Sequence, residues 1–192
     1  MKKQSVKNSR VLSLLLVLVF VVSALVGCGG TAESGISIDE AETALSGNDD
    51  WTFSKTQNTD GRFTFEAQFD CLGDTFHYSG RASKKQNVDF IKMEYVNIDT
   101  YKLTDEYALK EIASKSYNKY TMSDIRALKC VADTWVLLQL LDPSYEGSTL
   151  GALIPTFVSL YNGTACQAGK WSVSARVNES NKTVSVTASY KN

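Results

Sequence analysis

Strict alternation of apolar and polar residues constrains the fold of this chain more than any other feature. Between residues 62 and 69 every second residue is apolar, and these residues are Phe63, Phe65, Ala67 and Phe69. Residues 171–177 and 184–190 alternate in the same way. Because successive side chains of a strand point to opposite faces, this period predicts strands with one buried and one solvated face.

Further strands and one helix are predicted around the first alternating stretch. Residues 51–56, 75–82 and 88–98 also have strand character, and short polar segments separate them, so they complete a four-stranded antiparallel meander. Ser37 and Glu40 have the spacing of a capping box, which predicts a helix at residues 38–46.

In the middle of the chain the hydrophobic period becomes helical. Apolar residues recur at helical spacing after Thr104, after Ser123 and after Gly147 and Ser148, which predicts three helices. The two alternating stretches near the C-terminus then predict a hairpin. We therefore expect an α+β fold, in which an antiparallel sheet, an N-terminal meander plus a C-terminal hairpin, is covered on one face by about three helices.

The N-terminus carries a separate signal. Four basic residues open the chain, and these are Lys2, Lys3, Lys7 and Arg10. Residues 11–24 follow as an apolar run that only Ser13 and Ser23 interrupt. The tetrapeptide Leu-Val-Gly-Cys then ends at Cys28, directly after the small residue Gly27. A cationic leader, an apolar run and a small residue at a cleavage point are typical of export signals.

This arrangement resembles the signal peptide and lipobox of bacterial lipoproteins over residues 1–28. The resemblance implies diacylglyceryl transfer to the Cys28 sulfur, cleavage after Gly27, and attachment to the membrane through covalent lipid that includes palmitate. It divides the chain into a signal peptide (1–27), a lipidated tether (28–37) and a single α+β domain (38–192). The expected location is the extracytoplasmic face of the bacterial cell membrane, in the cell envelope.

Two alternatives stay open for the leader. The first is an uncleaved transmembrane anchor, although residues 11–26 supply only 16 residues and a span needs about 20. The second is an ordinary secretory signal, although its cleavage site normally resembles Ala-x-Ala.

Charge and length exclude several classes of function for the domain. Removing residues 1–27 takes away four basic and no acidic residues, which leaves 16 Lys and Arg against 21 Asp and Glu and a net charge near −5. Such a domain repels nucleic acids and anionic headgroups, so no nucleic-acid partner is expected. A remainder of this length suits one domain rather than two ligand-enclosing lobes.

Cysteine and histidine usage indicates neither a metal site nor a cofactor. Cys71, Cys130 and Cys166 remain once Cys28 carries lipid, and they permit one disulfide in three pairings or free buried thiols. His77 is the single histidine, and no CxxC pair accompanies it. We therefore expect no metal ligands and no cofactor.

Tyrosines supply the candidate binding residues. Four of the nine tyrosines flank or lie on the first middle helix, and these are Tyr101, Tyr107, Tyr117 and Tyr120. Tyrosine offers a large contact area at modest entropic cost, so this group predicts a patch for a protein or glycan partner. The alternative is that the four rings cover the core between helix and sheet.

The sequence favours a non-catalytic binding or interaction module, and it predicts no catalytic residue. A small cell-envelope hydrolase that uses carboxylates is the alternative. Its acids would come from the strand residues Glu66, Asp89 and Glu94, or from a group near a helix start, namely Asp105, Glu106 and Glu111. Acids at a helix start have a structural explanation, since the helix dipole favours negative charge there.

We predict that Cys28→Ser abolishes acylation, because the lipid is attached to the cysteine sulfur. The precursor should then stay unprocessed or be released from the membrane. Intact-mass measurement of the membrane fraction tests this expectation on the unaltered chain. A mature N-terminus at Cys28 without a lipid mass would contradict the lipoprotein interpretation.

Overall fold

The computed structural model describes residues 35–45, 51–71, 73–145 and 147–191. The predicted signal peptide and Cys28 lie outside these residues. The described strands are β1 (Trp51–Gln57), β2 (Phe63–Cys71), β3 (Asp74–Ala82), β4 (Val88–Tyr95), β5 (Cys166–Ala168), β6 (Trp171–Asn178) and β7 (Thr183–Tyr190). The described α-helices are α1 (Ile38–Leu45), α2 (Tyr101–Thr104), α3 (Glu106–Ser114), α4 (Met122–Leu141) and α5 (Leu150–Tyr161). Short 3₁₀ turns at Tyr117–Lys119 and Pro143–Tyr145 flank α4.

All seven described strands form one antiparallel sheet in the order β1-β2-β3-β4-β7-β6-β5. The meander β1–β4 and the hairpin β6–β7 confirm the predicted parts of the sheet. They join where β4 pairs with β7, for example through Met93 opposite Val186. The helices α2–α5 are therefore inserted in the chain between two parts of one sheet, β1–β4 and β5–β7. The predicted α+β class is confirmed.

The alternation in the sequence decides which face of the sheet is buried. Phe65, Ala67 and Phe69 on β2 are at most 5 % exposed, whereas the residues between them face solvent. Gly80 on β3 lies opposite Phe65, and a Cβ atom at Gly80 would come within 2.1 Å of the Phe65 ring. The phenyl ring thus occupies the space that a side chain on β3 would need. We call this buried side, which the helices cover, the inner face.

Side-chain caps fix the starts of α1, α3, α4 and α5, whereas α2 has none. The Ser37 hydroxyl accepts from the Glu40 amide at 3.1 Å, while the Glu40 carboxylate accepts from the Ser37 amide at 2.8 Å, so the predicted capping box of α1 is present. At two other starts the cap is not the residue after which the sequence predicted the helix. Asp105 rather than Thr104 caps α3, and Thr121 rather than Ser123 caps α4. In each case the capping side chain accepts a backbone hydrogen bond three residues on.

The helices pack on the inner face around α4, which contributes ten buried residues. Helix α1 packs against α4, and α5 packs against both α3 and β6. Two elements were not predicted: the four-residue helix α2 and the three-residue strand β5. Both are too short to show a hydrophobic period, so their position depends on tertiary contacts.

Candidate binding groove

A groove of about 690 Å³ lies between α3 and the first turns of α5. Its floor is mainly apolar and is made by Ala113, Leu150, Gly151 and Ile154. Its rim carries Tyr107, Lys110, Glu111 and Ser114 from α3. The groove is shallow and open to solvent rather than an enclosed cavity.

Local sequence explains why the two helices leave this space. The Asp105 carboxylate caps α3 at the Ala108 amide (2.8 Å), and the Thr149 hydroxyl caps α5 at the Ala152 amide (3.3 Å). Gly151 follows in the first turn of α5, and a Cβ atom there would meet nothing within 4 Å. The space beside Gly151 is therefore open.

The structure places the four candidate tyrosines differently. Tyr107 is 86 % exposed and lies on the groove rim, while Tyr101 is 63 % exposed but does not line the groove. Tyr120 is half-buried, and the side chain of Tyr117 is outside the described residues. Among the three tyrosines whose side chains are described, the structure brings Tyr107 to the groove.

The rim charges are largely neutralised by neighbours on α3 and at its C-terminal end. Lys110 Nζ lies 2.6 Å from the Glu106 carboxylate, and Lys115 Nζ lies 3.4 Å from the Glu111 carboxylate. The hydrogen bond to Glu106 raises the pKa of Lys110, so this lysine stays charged and paired. The groove thus combines an apolar floor with a rim of little net charge.

The acids of the protein interior are held in a different region, on α4. Asp133 is only 4 % exposed, and its carboxylate accepts from the hydroxyls of Tyr78 on β3 and Tyr95 on β4, the latter at 3.0 Å. Its other oxygen accepts from Lys129 one turn earlier. We call these four residues the Asp133 cluster. Burial, and then the charge of Asp133, raise the pKa of both tyrosines well above the usual value, so both remain hydrogen-bond donors.

Two further buried carboxylates are also fully occupied. Asp124 accepts from Lys102 at 2.6 Å, from Lys115 at 3.2 Å and from the Thr121 amide at 2.8 Å. Asp74 accepts from Asn97 at 2.6 Å and pairs with Arg126 of α4. Each buried acid therefore has a cation and further donors, which is the arrangement that a structural ion pair requires.

Several of the acids that a hydrolase could use, Glu66 not among them, have structural partners. Glu94 lies 2.6 Å from Lys92 Nζ, and Asp89 lies 3.5 Å from Arg81. Asp105 caps α3, and Glu106 pairs with Lys110. His77 is on the solvent-facing side of β3, where its ring is 3.4 Å from the Gln68 amide.

The described residues provide neither a metal site nor a membrane-spanning helix. No group of three or more His, Cys, Asp or Glu residues could hold a metal ion in that part of the chain. No helix described here is long and apolar enough to cross a membrane. Cys130 is buried and Cys166 half-buried, and neither forms a disulfide.

Sequence reasoning missed the floor of the groove. Leu150 and Ile154 were correctly placed on a helix, but their spacing shows only which side of α5 is apolar. That α5 leaves part of this side uncovered beside α3 depends on the packing of both helices. The one local signal was Gly151, a residue that is unfavourable inside a helix and here leaves open space.

We expect Asp124 to make folding stability depend on pH. Burial tends to raise the pKa of its carboxyl, but hydrogen bonds from Lys102, Thr121 and Lys115 outweigh this and lower the pKa well below the usual value. The stabilisation is therefore complete above the unfolded pKa of about 3.9 and is lost as the pH falls further.

Denaturant melts between neutral and acidic pH test this expectation. Asp124→Asn should be less stable at neutral pH and should lose less stability than the unaltered chain on acidification. Asp39→Asn is the matched control, because Asp39 is 81 % exposed in its ion pair with Lys55 and should change little. An unchanged acid dependence in Asp124→Asn would contradict the assignment.

Comparison with known proteins gives no relative from which a function can be transferred. No family model, no curated protein and no solved structure matches this chain. Its function has to be argued from its own residues and their geometry.

Proposed function

We propose that this protein is a lipid-anchored, extracytoplasmic binding module, and that the groove between α3 and α5 binds a partner protein. In this proposal Cys28 carries the lipid, and residues 28–37 connect it to the domain. The domain then presents Tyr107 and the apolar floor of the groove to a partner in the cell envelope.

The observation that carries the proposal is the position of Tyr107. Its ring is 86 % exposed and stands beside an open apolar floor. Tyrosine is enriched among the residues that dominate binding energy, where it is packed into or beside a pocket of the partner. In this protein the exposed Tyr107 ring and the groove beside it are both accessible to a partner.

The floor favours a protein segment over a glycan. Ala113, Leu150 and Ile154 offer contact to an apolar side chain, whereas a sugar covered in hydroxyl groups needs polar partners around an aromatic ring. The paired rim charges add no strong field that would select a charged ligand. A peptide that inserts an apolar side chain beside Tyr107 is the partner that fits this surface best.

The buried acids argue for binding rather than hydrolysis. A general acid or base needs a carboxyl that is free to exchange a proton with substrate. Asp74, Asp124 and Asp133 have all their oxygens engaged by cations, hydroxyls or amides. Their roles in stabilising the fold therefore explain why these acids are buried, and no catalytic role is needed.

We expect Tyr107→Ala to leave thermal stability almost unchanged, within about 0.5 kcal/mol, because the ring is exposed. To find the contact, a photo-crosslinking amino acid replaces Tyr107 in the full chain, and intact cells are irradiated. The proposal predicts one discrete protein adduct. The same adduct should disappear when Leu150→Glu is added, which places a charge on the groove floor.

Asn181 in the β6–β7 turn is the control position, since it is exposed and lies on a different part of the protein. Glu at position 150 begins a helix, where negative charge is favoured, so this variant should fold. An adduct that also forms at position 181, or that survives Leu150→Glu, would contradict the groove. An adduct that glycosidase rather than protease removes would identify a glycan partner instead.

A further inference from the structure

In the part of the chain that the structure describes, the first strand of the sheet, β1, has an unpaired edge. It pairs with β2 on one side and with no other described strand on the other side. Such an edge offers a row of unpaired amides and carbonyls to another strand. The opposite edge differs, because β5 has only three residues and the Tyr145 hydroxyl donates to the Gln167 carbonyl at 3.3 Å.

The hydrogen-bond pattern identifies the backbone groups on the open edge. The amide of Asn58, just after β1, donates to the Arg62 carbonyl at 2.8 Å, so this is a hydrogen-bonded pair. Hydrogen-bonded and non-hydrogen-bonded pairs alternate along an antiparallel ladder. Counting back from Asn58, the even-numbered residues of β1 bond to β2. The outward groups therefore belong to Trp51, Phe53, Lys55 and Gln57.

Lysine side chains often protect such edges, but the one in β1 does not. Lys55 is the only charged residue of this seven-residue strand. Its ammonium group lies 3.5 Å from Asp39 of α1 and 3.2 Å from Gln86 in the β3–β4 turn. The charge is thus neutralised by its own chain and directed over the inner face rather than across the edge.

We propose that β1 pairs with β1 of a second copy of this chain, in an antiparallel two-fold arrangement centred on Ser54. Hydrogen bonds form only in a register that places residues with outward-pointing amides and carbonyls opposite each other in the two copies. Centring on Ser54 places Trp51 opposite Gln57 and Phe53 opposite Lys55, so that all four outward residues are paired in each copy.

The registers centred on Lys55 and on Phe53 are less favourable than the register centred on Ser54. A centre at Lys55 places two lysines directly opposite each other, which is unfavourable across a strand pair. A centre at Phe53 leaves Gln57 without a partner from the other β1. In the Ser54 register, the outer-face pairs are Ser54 with Ser54 and Thr52 with Thr56, all hydroxyl residues. Trp51 and Phe53, which are half-buried in the single chain, gain cover from the second copy.

Disulfide crosslinking of the full chain in membranes tests this register. Ser54→Cys places two thiols at a non-hydrogen-bonded pair, where the Cα atoms are about 4.5 Å apart, within the range of about 4.4–6.8 Å that a disulfide spans. Thr52→Cys is the matched control on the same face of the sheet. Position 52 of one copy lies about 13 Å along the strand from position 52 of the other, which is too far for a disulfide. Both variants carry Cys71→Ser and Cys166→Ser, while Cys28 is kept for the anchor and Cys130 is buried.

The proposal predicts that mild oxidation links Ser54→Cys into dimers and leaves Thr52→Cys monomeric. Thr52→Cys and Thr56→Cys expressed together should link to each other. Adding Lys55→Pro removes an outward amide and should abolish the Ser54→Cys dimer, whereas Lys55→Ala keeps the amide and should retain it.

Three results would overturn the proposal. These are no dimer from Ser54→Cys, equal crosslinking of Ser54→Cys and Thr52→Cys, and a Ser54→Cys adduct with another protein. Thermal melts of the proline and alanine variants check that both still fold. The groove between α3 and α5 plays no part in this pairing, so either proposal can fail while the other holds.

Discussion

The structure depends most on the contact between α4 and the sheet at the Asp133 cluster. A carboxylate this deeply buried is stable only when its oxygens are fully hydrogen-bonded and its charge is paired. Tyr78 and Tyr95 supply hydroxyls from two adjacent strands, and Lys129 supplies the charge from α4 itself. These bonds fix how α4 is rotated and where it lies on the inner face. Helix α1 packs against α4 in turn.

The same principle links the fold to the proposed function. Asp74, Asp124 and Asp133 bring negative charge into the interior, and each one joins α4 or its flanking segments to another element. Buried ion pairs thus position α4. The groove between α3 and α5 has instead an apolar floor and the exposed Tyr107. In the proposed function, the buried ion pairs position α4, and the apolar floor of the groove contacts the partner.

Local patterns in the sequence predicted much of the fold, and tertiary contacts account for what was missed. Alternation around Phe65 and the Ser37–Glu40 pair depend on neighbours in sequence, so the strands of the meander and α1 were correctly placed. The partners of Asp133 come from strands about 40 and 55 residues away, and no periodicity reports such contacts. Tyr107 was identified from its residue type, but its neighbours Leu150 and Ile154 come from another helix.

A double-mutant cycle between Tyr95 and Asp133 tests the central claim, that this cluster fixes α4 on the sheet. Unfolding free energies are measured for Tyr95→Phe, for Asp133→Ala and for both together. The account predicts a coupling of about 0.5–3 kcal/mol, because the two groups share a buried hydrogen bond. The pair Tyr95→Phe and Thr64→Ala is the control and should be additive, since Thr64 lies on the solvent-facing side of β2. Additivity between Tyr95 and Asp133 would contradict the account.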